Sequence, residues 1–559
     1  MLTGPHPLSG EELRRASHGW RSATSLRKRS EIRHFYLIYF VIPGDADWLV
    51  NGAGRVQRSS SVFGKEAFTF AEVQPVATQM ARILQQKFAI QVGDVVHLVV
   101  PGSCEMFVPV LGAWLLRAVV SPGDPGLSVD VISCQMGQAN AKVVFCCQAS
   151  LKKVRKAVGL LDAEIPIIVM NDGKVDELDE GVTSLTSLIE EDNGENFELL
   201  PPSDPVEIDQ LIMICWSSGT TGRPKGIKIG SNRFYKELDG NKLLSKILQT
   251  TCFFHCGGFF GPLLSLLQGH TRYFIAPEDL NNNIGLMLSV AEESAAEAIF
   301  CGSHDLIHLA AFHLAEGQPP VYAAKYMIPF GTNVYDGIFE DLQDKFPSLV
   351  GVVNLYGQTE GGVISLGMDQ KCLGGIHCPA VRIVDPDTHE VLGPDEVGEI
   401  TYKTDIPMLG YLDLPEENEK FFGSEGFVHS GDLGHYDEHG TLYYDGRLKE
   451  LIKYKNFHLY PNELEEILMG HDAVEDAAVF GKPEASVQEL VTALVVKKRD
   501  TEVETEELKD LVNQQVDDHK QLRGGIHFVR KIPRNPQGKI LRSKLLALVN
   551  EEEGPVNRY

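Results

Sequence analysis

Apolar runs that read as strands alternate along the chain with stretches that carry helical spacing. From about residue 66, Phe70 to Phe88 repeats its apolar positions at helical intervals and predicts an amphipathic helix. Asp94 to Val100 is a β-branched run that stops at Pro101-Gly102, a strand closed by a turn signal. Phe107 to Val120 is apolar almost throughout, with Arg117 its only charge, and predicts a buried helix. Lys142 to Cys147 and Ile167 to Met170 read as further strands. This alternation predicts an α/β fold with parallel sheets covered by helices on both faces.

Val175 to Asp204 is acidic and poor in apolar residues, which predicts a surface connection. A second α/β block runs from Leu211 to about Leu366. After Ile376 the texture changes. Val381 to Val384, Gly398 to Tyr402 and Thr441 to Tyr444 are short strands between turn signals, a small β-rich unit. From about Lys449 a compact unit follows, with strands near Ala477 to Phe480 and Val491 to Val496 and a helix near Glu504 to Val516. The expected division is an N-terminal segment over 1–65, a large domain over 66–447 and a small α+β C-terminal domain over 448–559.

Composition narrows the function. The 559 residues are 43% hydrophobic and 23% charged, as in ordinary soluble proteins. A formal charge of −26 argues against nucleic acid as the partner, because phosphate backbones need basic surfaces. The ten cysteines are scattered without a frame and point to a reducing, intracellular and cytoplasmic setting. Cys252, His255 and Cys256 lack a second pair at finger-like spacing, so packing or pocket lining is expected of them rather than a zinc site. Phe35 to Ile42 is apolar but far shorter than the ~20 residues of a membrane span. It reads as a buried strand, and no transmembrane span is expected. The chain closes on Asn557-Arg558-Tyr559, unlike a Ser-Lys-Leu peroxisomal address.

The chemistry is concentrated in one loop. The strand Leu211 to Trp216 runs into Ser217, Ser218, Gly219, Thr220, Thr221, Gly222, Arg223, Pro224, Lys225 and Gly226. Glycines admit close backbone approach, and hydroxyls, backbone N–H groups and a lysine suit a polyanion such as a triphosphate. A flexible Ser/Thr/Gly surface turn is the plainer reading of the loop in isolation. It is not a Walker loop, because Pro224 precedes Lys225 and Gly226 follows it.

This string resembles the signature loop of the adenylate-forming enzymes: acyl- and aryl-CoA ligases, firefly-type luciferases and peptide-synthetase adenylation domains. The resemblance continues in order at Tyr356-Gly357-Gln358-Thr359-Glu360, Ser430-Gly431-Asp432, Asp445 to Lys453, and Gly538-Lys539. It spans about residues 66 to 548 and is strongest toward 4-coumarate–CoA ligases and luciferase-like acyl-CoA synthetases.

The resemblance implies ATP, Mg²⁺ and coenzyme A as cofactors, and a small-molecule carboxylic acid as substrate. Tyr356 and Gly357 would face the adenine, Thr359 the α-phosphate, and Glu360 would ligate Mg²⁺. Asp432 would accept both ribose hydroxyls and Arg447 would contact ribose or phosphate. Lys539 would neutralise charge between the attacking carboxylate and the α-phosphate. His255 lies in a segment, Phe253 to Phe260, that resembles the family's aromatic gate. Lys449 matches the hinge, and Lys453 to Phe457 would line the thiol tunnel, with Asn456 where the family usually has Gly. Gly331-Thr332 and Thr404 also depart from the family's pattern. The leading reading is an acyl- or aryl-CoA ligase. A luciferase-like adenylating oxygenase and a nucleotide-binding pseudoenzyme are the alternatives.

Overall fold

The computed structural model describes residues 47–51, 67–102, 104–170, 181–195, 197, 210–217, 224–233, 245–275, 280, 283–314, 319–330, 337–368, 372–455, 457–484, 486–499, 501–534 and 539–552. The expected strand at Phe35 to Ile42 lies outside them. The described residues fall into two compact units, one within 1–245 and 259–272, the other within 246–258 and 273–559.

In the first unit, β1 (Asp47–Asn51) pairs antiparallel with β2 (Ala67–Thr69). Helix α1 (Phe70–Phe88) starts where the Thr69 N–H donates to Glu72 Oε2 at 2.9 Å, tying down one of the donors a helix start leaves unpaired. β3 (Val95–Val99) follows, buried along its whole length. The predicted helix over 107–120 divides: α2 covers Phe107–Leu115, and β4 covers Val119–Pro122. Arg117, at φ 56°, makes the left-handed turn between them. An apolar run does not by itself distinguish buried helix from buried strand, and here the β-branched Val119 and Val120 go to the sheet.

Helix α3 (Val129–Gln138), β5 (Ala141–Cys147), α4 (Gln148–Val158) and β6 (Ile167–Met170) complete the alternation. The acidic stretch after Val175 is more than a connection. It contributes β7 (Val182–Ser184) and α5 (Leu185–Glu191), whose Leu185 and Leu188 are buried. Asp192 is held by the Arg82 guanidinium. With β8 (Leu211–Ser217) and β9 (Lys225–Gly230), the sheet order is β7-β6-β5-β3-β4-β8-β9. Its strands are parallel except that β9 runs back along β8 and sets Lys225 opposite Ser217.

Next along the chain come β10 (Lys246–Gln249), α6 (Cys256–Gln268), β11 (Thr271–Phe274), α7 (Ile284–Ser294) and β12 (Ala298–Gly302). After α8 (Ser303–Ala311) come β13 (Tyr326–Phe330), α9 (Ile338–Leu342) and β14 (Gly351–Val352). β10, β12, β13 and β14 lie parallel in that order around a core that includes Leu248, Ile299, Met327 and Val352.

The β-rich region has two antiparallel sheets. One is β15 (Asn354–Gln358), β16 (Gly362–Gly367) and β17 (Gly375–Ile376). The other is β18 (Ala380–Val384), β19 (Gly398–Lys403), β20 (Val428–Tyr436) and β21 (Leu442–Arg447), with α10 (Pro415–Phe421) between β19 and β20.

The C-terminal part folds as β22 (Ile452–Tyr454), β23 (Phe457–Leu459), α11 (Pro461–Met469), β24 (Val474–Glu484), β25 (Gln488–Lys497), α12 (Thr505–Asn513), β26 (Ile526–Phe528) and α13 (Leu545–Glu552). Its sheet runs β23-β22-β25-β24, with β26 parallel to β25. The fold is thus mixed α/β, a large N-terminal domain followed by a small C-terminal one. Among the described residues, no helix is long and apolar enough to cross a membrane.

Candidate active site

Four separate stretches of the second unit place chemistry in one region. Tyr356 lies on β15, with Thr359 and Glu360 in the turn that follows. Asp432 lies on β20 and faces Arg447 directly across the β20–β21 ladder. Because antiparallel register pairs these two residues, their side chains meet: Arg447 Nε is 3.1 Å from Asp432 Oδ1. That atom makes a charge contact there but no aligned hydrogen bond. Asp432 Oδ2 accepts from the Tyr356 hydroxyl at 2.9 Å and from Gln358 Nε2 at 3.3 Å. Asp432 is only 2% exposed. The Asp432 charge is the main influence holding the Arg447 guanidinium firmly protonated. Burial, then Asp432, pushes the Tyr356 hydroxyl up, so it remains a donor.

The loop around Asp432 has its own brace. Glu399 Oε1 accepts from the Gly431 N–H at 3.0 Å, and Glu399 Oε2 lies 2.8 Å from His429 Nδ1. The turn after Glu360 is packed just as closely. A Cβ on Gly361 would stand 2.1 Å from the hydroxyl of the fully buried Tyr402, so only glycine fits there.

Lys539 comes from the C-terminal part. Ile540, the residue after it, forms an antiparallel bridge with Arg534. Arg534 pairs with Asp476 at 2.7 Å, and Arg542 pairs with Glu450 at 2.9 Å and Glu465 at 2.7 Å. Burial, then the charge of Arg447, lowers the Lys539 pKa; Asp432, Glu450 and Glu360 oppose the shift. Lys539 in turn acts on His255, which stands just before α6. Burial first and Lys539 second lower the His255 pKa to about 4.

A neutral folded-state histidine gives a pH signature. The unfolded imidazole takes a proton near pH 6.5, whereas the folded one resists until about pH 4. Its contribution is therefore complete above pH 6.5 and is lost as pH falls toward 4, at up to about 1.4 kcal/mol per pH unit. Replacing His255 with Gln should flatten the fall in Tm over that window, measured by thermal unfolding at a series of pH values.

Ser217 and Lys225 flank the glycine-rich loop in the first unit. Ser218, Gly219, Thr220, Thr221, Gly222, Asn456, Gly331 and Thr332 lie outside the described residues. Gly357 is on β15 beside Tyr356. Lys449 is exposed in the short 3-10 helix after β21, and Lys453 is exposed on β22. Among the described residues, no group of three or more His, Cys, Asp or Glu side chains is placed to hold a metal ion. Reading the sequence missed Gln358, Glu399, Arg542 and Tyr411, whose hydroxyl donates to Glu360 Oε1 at 3.0 Å. Gln358 sits inside a recognised motif, so its polar side chain was the one available signal.

A doubly sheeted α/β body followed by a small C-terminal domain, with Asp432 joining Arg447 and the buried Tyr356, fits the nucleotide-using enzyme that the sequence motifs lead one to expect. Family models agree: "AMP-binding enzyme" matches residues 50–412, and "AMP-binding enzyme C-terminal domain" matches 463–539. The chain belongs to this family of adenylate-forming enzymes. It is 28% identical to 4-coumarate–CoA ligase 1 of Petroselinum crispum, over 92% of this chain and 93% of that protein. It is also 28% identical to luciferin 4-monooxygenase of Nipponoluciola cruciata, over 87% and 90% of the two chains. The crystal structure of an anthranilate–CoA ligase in complex with anthranoyl-AMP shares the fold at a TM-score of 0.80 and 17% identity, covering 93% of this chain and 97% of that one.

Proposed function

We propose that this protein is an AMP-forming ligase that activates a carboxylic acid as its acyl-adenylate and transfers the acyl group to coenzyme A. In the first step a carboxylate oxygen attacks the α-phosphorus of ATP, the bond to the β-phosphate oxygen breaks, and pyrophosphate leaves. In the second, the thiolate of coenzyme A attacks the acyl carbon and AMP leaves.

The observation that supports this reading is a partly buried Lys539 that feels the charges of Arg447, Asp432, Glu450 and Glu360, with Asp432 itself bonded to Tyr356 and facing Arg447. Two anions, the acid and the α-phosphate, must approach each other, and a desolvated lysine lowers that repulsion. Asp432 accepts the ribose hydroxyls, and Tyr356 backs the adenine with Gly357. Thr359 donates to the α-phosphate. Ser217 to Gly222 and Lys225 hold the outer phosphates. His255, neutral at pH 7, lines the acid's entry beside Lys539. The gate around it is tight: a Cβ on Gly257 would lie 3.0 Å from the Phe330 ring.

The donor set fits magnesium. A single hard carboxylate, Glu360, with the remaining positions left to phosphates and water, is how this ion is usually held at nucleotide sites. Bound there, Mg²⁺ would offset the negative charge of the phosphates. Lys449 serves as the hinge between half-reactions, with Lys453 and Asn456 beside the thiol path. The proposed division is 1–65, 66–447 and 448–559, with an intracellular, cytoplasmic setting.

The test is pyrophosphate release with Mg-ATP across aryl and fatty acids, with and without coenzyme A. Acid-dependent release with thioester formation is expected. Release without thioester, with light from a luciferin, would instead favour an adenylating oxygenase. ATP binding without release would mark a pseudoenzyme.

A further inference from the structure

We infer that Tyr411 is a positioning residue that presents Glu360 to the divalent cation, and that the segment joining β19 to α10 is built as its clamp. The inference rests on the reading of Glu360 as the cation's carboxylate.

Three bonds tie this segment to the turn at Glu360. The Thr404 hydroxyl donates to the Gly361 carbonyl at 2.8 Å. The Met408 N–H donates to the Glu360 carbonyl at 2.7 Å. The Tyr411 hydroxyl donates to Glu360 Oε1 at 3.0 Å. The first two fix the backbone of the turn; the third fixes the carboxylate. With Oε1 engaged, rotation of the carboxyl group is restrained and Oε2 is left as the oxygen for a single-point metal contact. Ligating carboxylates commonly depend on such an outer hydrogen bond, and losing it typically costs 10–100-fold in metal affinity.

Tyr411 is itself firmly held. Its N–H donates to Asn418 Oδ1 at 2.6 Å, and Asn418 Nδ2 returns a bond to its carbonyl at 3.3 Å. Its ring meets Phe421 edge-on at 5.8 Å, and Phe421 is buried. The hydroxyl is therefore supported by packing and by backbone bonds at once. Thr404 gains a purpose here too. It stands where the resembled family commonly carries glycine, and a glycine has no hydroxyl to reach Gly361. The same oxygen accepts the Ile406 N–H at 3.0 Å, which shapes the start of the segment.

The experiment uses Mn²⁺ as the probe, followed by electron paramagnetic resonance with a non-hydrolysable ATP analogue bound to the full-length protein. Wild type, Tyr411→Phe and Glu360→Gln are compared. The half-saturating Mg²⁺ for pyrophosphate release is measured alongside. Tyr411→Phe keeps the ring on Phe421 and should still fold. It should weaken Mn²⁺ binding about 10-fold and raise the half-saturating Mg²⁺ to a similar degree, with kcat recovering at saturating metal. Thr404→Gly should move both readings in the same direction by less. If Tyr411→Phe binds Mn²⁺ like wild type while Glu360→Gln does not, Tyr411 has no positioning role and the reading of Glu360 stands. A lower kcat at every metal concentration, with unchanged Mn²⁺ affinity, also overturns the inference. If Glu360→Gln itself binds Mn²⁺ normally, the reading of Glu360 fails and takes this inference with it.

Discussion

Lys539→Ala should slow adenylate formation by at least ~100-fold, equivalent to about 2.7 kcal/mol of lost transition-state stabilisation. Thioester formation from preformed acyl-AMP should be largely spared, because only the first step brings the carboxylate and the α-phosphate together against the repulsion that the lysine offsets. The size follows from the environment. Burial and the neighbouring Arg447 work against the ammonium charge, while Asp432, Glu450 and Glu360 sustain it. A cation placed where water is scarce interacts more strongly with developing charge than one in solvent. Single-turnover pyrophosphate release measures the first step, and stopped-flow reaction of supplied acyl-AMP with coenzyme A measures the second. An equal loss in both would remove Lys539 from the adenylation step and make its role structural.

Asp432→Ala should lower kcat/KM for ATP by at least ~100-fold and also destabilise the fold. Two separate effects are involved. The carboxylate that would take the ribose hydroxyls disappears. In addition, Arg447 loses its ion-pair partner, and the Tyr356 hydroxyl and Gln358 lose an acceptor. Breaking a fully buried pair costs several kcal/mol. The Arg447 side chain is 32% exposed, so water recovers part of that, and about 1–3 kcal/mol is expected. Asp432→Asn separates the effects, since its amide oxygen still accepts from Tyr356 while the charge is gone. Nucleotide binding by calorimetry together with thermal unfolding distinguishes them. If the alanine variant binds ATP like wild type and only melts earlier, Asp432 is a structural residue.

Much of the fold is written locally. Phe70 to Phe88 forms a helix over the span its periodicity predicts, and Ile167 to Met170 a strand over the span its apolar run predicts. Two stretches read differently. Phe107 to Val120 looked like one buried helix because burial on all sides erases the periodicity that separates helix from strand. Val182 to Glu191 looked like a surface connection because its few apolar residues are sparse, yet Leu185 and Leu188 suffice to seat a helix. The motif residues Tyr356, Glu360, Asp432, Arg447 and Lys539 were visible as motifs, since each sits in a short recognisable string.

The contacts between those strings were not visible. Tyr356 and Asp432 are 76 residues apart, and Glu360 and Tyr411 are 51 apart. No local pattern marks Tyr411, because an ordinary tyrosine after a glycine becomes a carboxylate's hydrogen-bond partner only when the segment from Thr404 to Asn418 folds back over the turn. By itself the sequence determined the alternation of strands and helices, the family and the residue types available for adenylation, all of which depend on near neighbours along the chain. Tertiary structure alone decided which carboxylate is buried against Arg447, which is held by Tyr411, and how far burial and charge shift His255 and Lys539. Those properties depend on distance and solvent exclusion, and both are set only when remote segments pack together.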